Sequence, residues 1–339
     1  MPITISGTTG ISLANQFDSA SSFGFKNRII NGQMQIAQRA TSATITAGST
    51  IAAGYSTVDR FYVYCTGANV TAAQVAGASA TKNRLQITGA ASATAVGIGQ
   101  RIEQLNSYDL AGSTATLSAD LAISATLTTV TWTASYATTT ADTFGTLASP
   151  TVTQIATGTF TVTSTVTNFS TNITIPAAAT TGIQIVFTVG ALTAGLTWTV
   201  GNVQLEKGST ATSFDYRPTG TELALAQRYY FKNKYSGGSN GISCFQAFSS
   251  SAGFGKIFDL PVTMRSSPSC SFSALSHFFL TNNSAASTGN LTTFNLTNGT
   301  ENYVASGNAV ATTAGLVAGN ATILSSSSSS GYVDALAEL

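Results

Sequence analysis

IQIVFTV, residues Ile183–Val189, carries Ile183, Ile185, Phe187 and Val189 at every second position. Apolar residues two apart share one face of an extended chain, so the stretch is expected to be a half-buried strand. Its β-branched and aromatic residues suit a pleated surface. The same reading extends outward. In TFTVTSTVT, Thr159–Thr167, Phe160, Val162 and Val166 fall on one face and threonines on the other. FYVYC from Phe61, RLQIT from Arg84, TATLSADLAI from Thr114 and TVTWTASY from Thr129 read as further strands. Gly, Asn, Ser and Pro punctuate the intervals at the spacing of an antiparallel sandwich, so the chain is expected to be all-β.

Helical signals are few. QLNSYDLAG from Gln104 holds one turn, with Gly112 as its stop. GTELALAQRYY from Gly220 reads as a helix capped by Thr221, with Glu222 in its first turn.

GNVQLEKGSTATSFDYRP, Gly201–Pro218, marks a change. No Lys, Arg, Asp or Glu occurs from Thr143 to Leu205, and then Glu206, Lys207, Asp215 and Arg217 follow within twelve residues. Trp198 and Val200 share a strand face, as do Val203 and Leu205, but the two pairs are out of phase. One extra residue near Gly201 and Asn202, a β-bulge, restores the phase. Pro218 forbids continuation as an inner strand. The returning charges are therefore read as the end of a domain. The expected organisation is an N-terminal arm over 1–27, a first sandwich over 28–217 and a second over 218–339. The arm is rich in Gly, Ser and Thr and is expected to order on a partner. Ser325–Ser330 are expected to loop between the last two strands.

Of the 339 residues only 8% are charged, against about 25% in a typical soluble domain, and the net charge is +1. That excludes nucleic-acid binding by phosphate neutralisation, which needs clustered Lys and Arg. A surface so poor in charge repels its own copies weakly, which points to a homo-oligomer. The charge-free tract is interrupted by Thr, Asn, Gln and Pro176, so no membrane insertion is expected. MPITISGTTG has no basic start or apolar core, so no secretory leader is read there.

Chemistry is harder to find. Cys65, Cys244 and Cys270 lack disulfide or zinc spacing and read as buried free thiols, and His277 as a structural residue. Asp59, Glu103 and Asp109 could meet as glycosidase carboxylates, but read as turn formers and as partners of Arg60 and Arg101. GIGQR at Gly97 lacks the spacing of a phosphate loop and carries no weight. No catalytic residue, cofactor or metal ligand is assigned, and no enzyme is expected. What remains is a sugar-binding inventory of aromatic rings and amides. Trp132 and Trp198 sit in alternating strands and read as core. Tyr55, Tyr108, Tyr235 and Tyr303 fall nearer loops and are the candidate glycan-binding residues.

Several stretches resemble virion structural proteins of tailed bacteriophages. They are KNRIINGQMQIAQRATS (Lys26–Ser42), YSTVDRFYV from Tyr55, QRIEQLNSYDLAGSTATLSADL (Gln100–Leu121) and GNVQLEKGSTATSFDYRPTGTELALAQRYYFK (Gly201–Lys232), the last being the most specific. LPVTMRSSPS from Leu260 and the final YVDALAEL are similar to the ends of the same proteins, and PITISGTTGI to tail-fibre attachment segments. The resemblance implies a carbohydrate-binding-like jelly roll closed by the LEKG strand, then a second β domain. It implies a homotrimeric tail fibre or receptor-binding protein on the virion, made in the host cytoplasm. Its arm would hold other tail or capsid proteins, and weak sites for host surface polysaccharide would act together through multivalency. Arg60, Arg101 and Arg217 would then pair structurally with buried carboxylates such as Asp59 and Glu103. A purely structural head-fibre, decoration or tail-connector protein is the alternative, and a polysaccharide depolymerase the third reading.

Overall fold

The computed structural model describes residues 4–6, 10–12, 25–48, 52–77, 83–124, 126–235, 240–282 and 287–339. The chain forms two compact units, one comprising Met1–Glu222 with Leu339 and the other Leu223–Glu338. Of the expected arm, β1 (Thr4–Ser6) and β2 (Gly10–Ser12) pair as an antiparallel hairpin; the rest, up to Gly24, lies outside the described residues.

The first unit continues with β3 (Ser42–Ile45), β4 (Ala52–Gly54), β5 (Tyr62–Thr66), β6 (Val70–Ala76), β7 (Asn83–Thr88) and β8 (Ala95–Ile102). A single helical turn, α1 (Gln104–Ser107), precedes β9 (Thr114–Ile123), β10 (Thr129–Ala137), β11 (Val152–Thr161), β12 (Thr167–Thr174), β13 (Ile183–Val189) and β14 (Thr197–Lys207). Two six-stranded antiparallel sheets result, ordered β11-β10-β13-β8-β5-β4 and β12-β9-β14-β7-β6-β3. The alternation read from Ile183 to Val189 holds: all four apolar residues are buried. They meet Leu85, Leu117, Leu121, Trp198 and Val200 of the other sheet in one core. Each such aliphatic or aromatic side chain contributes about 1.5–3 kcal/mol on burial. Both tryptophans belong to this core.

Thr159–Thr167 differs from its reading as one strand. β11 ends at Thr161, and β12 begins at Thr167 in the other sheet. Val162 still plugs the core, but Val166 is 46% exposed. Ser164, which occupies the apolar phase between them, is where the alternation fails.

The bulge lies where the phase break puts it. β14 advances three residues, Gly201 to Gln204, while β9 advances two, Asp120 to Ser118. Asn202 accommodates the extra residue in a left-handed conformation, at φ 45°. The bulge also changes the neighbour of β14. Up to Val200 the strand pairs with β7. Beyond it, Val203 donates its N–H to Gly32 O at 2.9 Å, and Arg28 N–H donates to Leu205 O at 2.8 Å. Asn27 completes the graft: its Nδ2 donates to Val203 O at 3.0 Å and its Oδ1 accepts from Leu205 N at 3.0 Å.

The charges after Leu205 are more than a polar exit, because they fold back onto this junction. Glu206 is buried and accepts from Thr212 N, Thr212 Oγ1 and Gln204 Nε2 at 2.6–2.9 Å. Arg217, also buried, donates to the carbonyl oxygens of Asn27 and Ile29 and pairs with Glu222 at 3.3 Å. Glu222 in turn accepts the N–H of Asn31. α2 (Thr219–Gln227) starts before the expected Thr221 cap, directly after Pro218, whose carbonyl accepts Glu222 N–H at 3.0 Å. The division between the units therefore falls after Glu222, within α2.

In the second unit, β15 (Tyr230–Lys234) is followed by β16 (Asn240–Ala247), β17 (Ala252–Asp259), β18 (Ser269–Phe272) and β19 (Phe278–Thr281). β20 (Ser287–Thr300), β21 (Tyr303–Ala311), β22 (Ala321–Ser326) and β23 (Tyr332–Leu336) complete it. This unit too is antiparallel. Its layers are a closed barrel, β16-β17-β21-β20-β19-β22, and a three-stranded sheet, β15-β23-β18. Phe245, Phe278, Leu280, Phe294, Leu324 and Val333 share the core. The first serines of the Ser325–Ser330 run extend β22 and the rest form the expected loop. His277 is held by Ser273 Oγ at 2.8 Å from Nδ1. Cys65 is buried as expected, whereas Cys244 is exposed.

The buried Arg217–Glu222 pair gives a stability test. Arg217→Met alone strands the Glu222 carboxylate and is expected to cost about 3–5 kcal/mol in urea denaturation of the full chain. Arg217→Met with Glu222→Leu is expected to cost clearly less than the two single changes added together. Strict additivity would show that the pair is not coupled.

Candidate functional site

The outer face of the first sheet holds a cleft of about 350 Å³, lined by Tyr62, Tyr64, Thr133, Ser135, Leu147, Pro150, Val152, Gln154, Gln184, Val186 and Thr188. Its shape comes from β8. On this face β8 presents Gly97 and Gly99, paired with Tyr64 and Tyr62 of β5. A Cβ at Gly97 would lie 2.1 Å from Tyr64 Cζ, and one at Gly99 would lie 2.3 Å from the Tyr62 hydroxyl oxygen. Both rings therefore lie across β8, filling the room its absent side chains leave, with their phenol ends directed towards β13. Beyond them, β13 supplies Gln184, Val186 and Thr188, and β10 supplies Thr133 and Ser135. β11 supplies Gln154, and the β10–β11 connection provides a rim of Leu147 and Pro150.

None of these lining residues is charged. The two phenols stay neutral over a wide pH range. Burial is the first cause for both, pushing Tyr62 far up and Tyr64 up. Nearby Tyr55 adds to the Tyr62 shift and Arg101 opposes it.

Arg101, 1% exposed, lies next to the cleft residue Gln184. It is paired in register with Gln184 and donates from Nε to Gln184 Oε1 at 2.9 Å. Its remaining donors reach the carbonyl oxygens of Phe144, Gly145 and Thr146 at 2.9–3.4 Å, and that of Leu339 at 2.9 Å. The guanidinium carbon also lies 5.3 Å from the centre of the Phe144 ring. Arg101 thus departs from its expected role: the Gln184 amide and main-chain oxygens hold it, in place of Asp59 or Glu103. Burial is the main cause lowering its pKa.

The other anticipated ionic residues are structural in position. Asp59 is buried, accepts from Gln38 Nε2 at 2.7 Å and pairs with Arg39 at 3.5 Å. Arg60 is buried in a left-handed conformation, φ 71°, and donates to Arg101 O at 2.5 Å. Glu103 is buried at the start of α1. Arg217 has its carboxylate in Glu222. Asp109 is half-exposed and pairs with Arg28 at 2.8 Å. Neither Asp59, Glu103 nor Asp109 lines the cleft.

None of the four candidate tyrosines lines the cleft. Tyr55 packs edge-on against Tyr62, with ring centres 5.8 Å apart, and so abuts the cleft without lining it. Tyr108 is 59% exposed on the short 3-10 turn Tyr108–Leu110. Tyr235 and Tyr303 belong to the second unit. Tyr235 is packed edge-on to core Phe278, and burial raises its pKa. Tyr303 is partly exposed at the start of β21. The cleft residues Tyr62, Tyr64, Gln154 and Gln184 were absent from the sequence-based choice. A signal for them exists: two tyrosines spaced by two and two glycines spaced by two, in strands that pair.

The sequence matches no protein-family model and no curated protein. Among solved structures, a CBM4 carbohydrate-binding module is similar at 15% identity with a TM-score of 0.33, over 52% of this chain and 98% of that one. TmCBM61, solved with β-1,4-galactotriose, is similar at 10% identity with a TM-score of 0.30, over 54% and 99%. The enzymatically active domain of tailspike protein 4 from bacteriophage CBA120 is 13% identical with a TM-score of 0.31, over 54% of this chain and 22% of that one. Similarity at this level bears on neither ligand nor activity.

The glycine floor has a direct test. Gly97→Ala must lift the Tyr64 ring off β8. It is expected to cost about 1–3 kcal/mol, read as a lowered urea midpoint with an altered near-ultraviolet tyrosine signal. An unchanged midpoint and signal would show that the ring does not rest on the glycine.

Proposed function

We propose that this chain is a non-enzymatic glycan-binding protein and that the β5–β8–β13–β10–β11 cleft is its sugar site. The observation that carries the reading is an uncharged trough with tyrosine rings set over glycines and an edge of Gln, Thr and Ser. Aromatic rings accept the apolar faces of sugar rings, while amides and hydroxyls serve the sugar hydroxyls. Uncharged glycans suit it best. The lining residues offer an anionic sugar no cation, and Arg101, beside Gln184, has its donors committed to protein oxygens. No carboxylate lines the cleft, which supports binding without hydrolysis.

We place this activity on a phage virion, as a homotrimeric tail fibre or receptor-binding protein touching host surface polysaccharide. That placement and the trimer are supported by the resemblance of Lys26–Ser42 and Gly201–Lys232 to tailed-phage virion proteins, and self-association in general by the low fraction of charged residues. The alternative, a purely structural virion component, draws on a specific observation. The residues carrying the resemblance, among them Asn27, Asn31, Glu206 and Arg217, are buried and hold the fold together.

The test is affinity electrophoresis of the full chain through gels containing dextran, mannan, galactan, xylan or laminarin, beside alginate as an acidic comparison. At least one uncharged polymer is expected to retard the protein. Tyr64→Ala is expected to weaken that retardation about tenfold or more, a loss of roughly 1.4 kcal/mol, and Tyr108→Ala to leave it unchanged. Retardation is also expected to be flat from about pH 5 to pH 9, since both cleft phenols have pKa values raised above the ordinary tyrosine value near 10. The stability they lend by remaining neutral is present below that value and falls as pH rises beyond it. No retardation by any polymer would favour the structural alternative, whereas equal loss in both variants would put the sugar site outside this cleft.

A further inference from the structure

Gln184 would ordinarily be an ambivalent cleft residue, since a primary amide both donates and accepts. Arg101 removes that freedom. A guanidinium has donors only, so the Gln184 atom 2.9 Å from Arg101 Nε has to be the carbonyl oxygen. The amide nitrogen is then turned away. It has no acceptor among the described residues, and Gln184 lines the cleft. Rotation of the amide would place its NH₂ against a buried guanidinium, trading a charge-assisted hydrogen bond for a donor–donor clash.

The same guanidinium fixes the adjoining wall. Arg101 Nη1 holds Gly145 O at 2.9 Å and Nη2 holds Thr146 O at 3.2 Å. Gly145 turns the chain in a left-handed conformation, φ 73°, and is bridged to Pro150. Leu147 and Pro150, the apolar rim, hang from this turn. One buried side chain therefore sets both the polarity of a cleft amide and the position of the wall beside it.

We infer that Arg101 is the positioning residue that sets the specificity of the cleft, by fixing the Gln184 amide so that its NH₂ is the group left to a ligand. The inference rests on the glycan reading above and narrows its ligand: an uncharged glycan that presents an acceptor oxygen over Gln184 Nε2. A hydroxyl, ring, glycosidic or N-acyl oxygen meets that requirement.

Gln184→Glu separates this from a merely structural role. It keeps an oxygen for Arg101 and nearly the same shape, but replaces the cleft-facing donor with an acceptor. The thermal midpoint is expected to match or exceed that of the wild type, because Arg101 gains a charged partner. Retention by whichever of the five uncharged polymers retards the wild type most is expected to fall about tenfold or more. Arg101→Met is expected to weaken retention as well, and to narrow the differences among the five polymers as the amide becomes free to rotate. Gln184→Glu carries the decision because it keeps the Arg101 contact intact. A Gln184→Glu protein that folds and is retained like the wild type, while Tyr64→Ala is not, would overturn this inference and leave the glycan site standing. A wild type retained by none of the polymers would overturn both.

Discussion

Two absent side chains on β8 shape the outer face of the first sheet. Gly97 and Gly99 let the rings of Tyr64 and Tyr62 lie across the strand where any Cβ would collide with them. In most strands the outward face is a row of side chains of similar height. Here the middle of the sheet is lowered and tiled by two rings anchored one strand away. The conformational cost of glycine inside a strand is accepted at these positions because close approach of an aromatic ring requires it. Once the floor is set, the cleft walls follow from the pleat. Gln184, Val186 and Thr188 face outward because Ile183, Ile185, Phe187 and Val189 face the core.

A second constraint keeps that sheet pair closed. β14 begins as a partner of β7 and finishes bonded to the Asn27–Gly32 segment, with the Asn202 bulge making the exchange. Glu206, Arg217 and Glu222 seal the junction from inside. Buried charges are costly to desolvate, and here each is met by main-chain or side-chain partners. Segments separated by most of the first unit's length are thereby fixed to one another.

How much of this was legible in the sequence depended on the kind of interaction. Strands announced themselves through period-two alternation. The bulge was visible because Trp198–Val200 and Val203–Leu205 fall out of phase. The change of sheets after Thr161 was hidden by threonines, which suit strand and connection alike, with only Ser164 breaking the pattern. The returning charges of Glu206–Arg217 were noticed but read as an exit, because charge usually signals solvent; burial reverses that meaning, and only tertiary contact shows it. The cleft was missed for a related reason. Loop tyrosines were favoured as ligands, whereas Tyr62 and Tyr64 lie in FYVYC, which was read only as a strand. GIGQR was weighed as a phosphate loop, and its glycines acquire meaning only from the register that sets them opposite two tyrosines. Arg101 could not have been placed from sequence, since most of its partners are main-chain oxygens, which leave no trace in composition.

The most direct measurement is a crystal structure of the full chain soaked with an oligosaccharide cut from the polymer that retards it most. Sugar rings lying against Tyr62 and Tyr64, with an oxygen within hydrogen-bond reach of Gln184 Nε2, are the expected result. Sugars bound instead at Tyr108 or Tyr303, with the cleft holding only water, would contradict the assignment of the site.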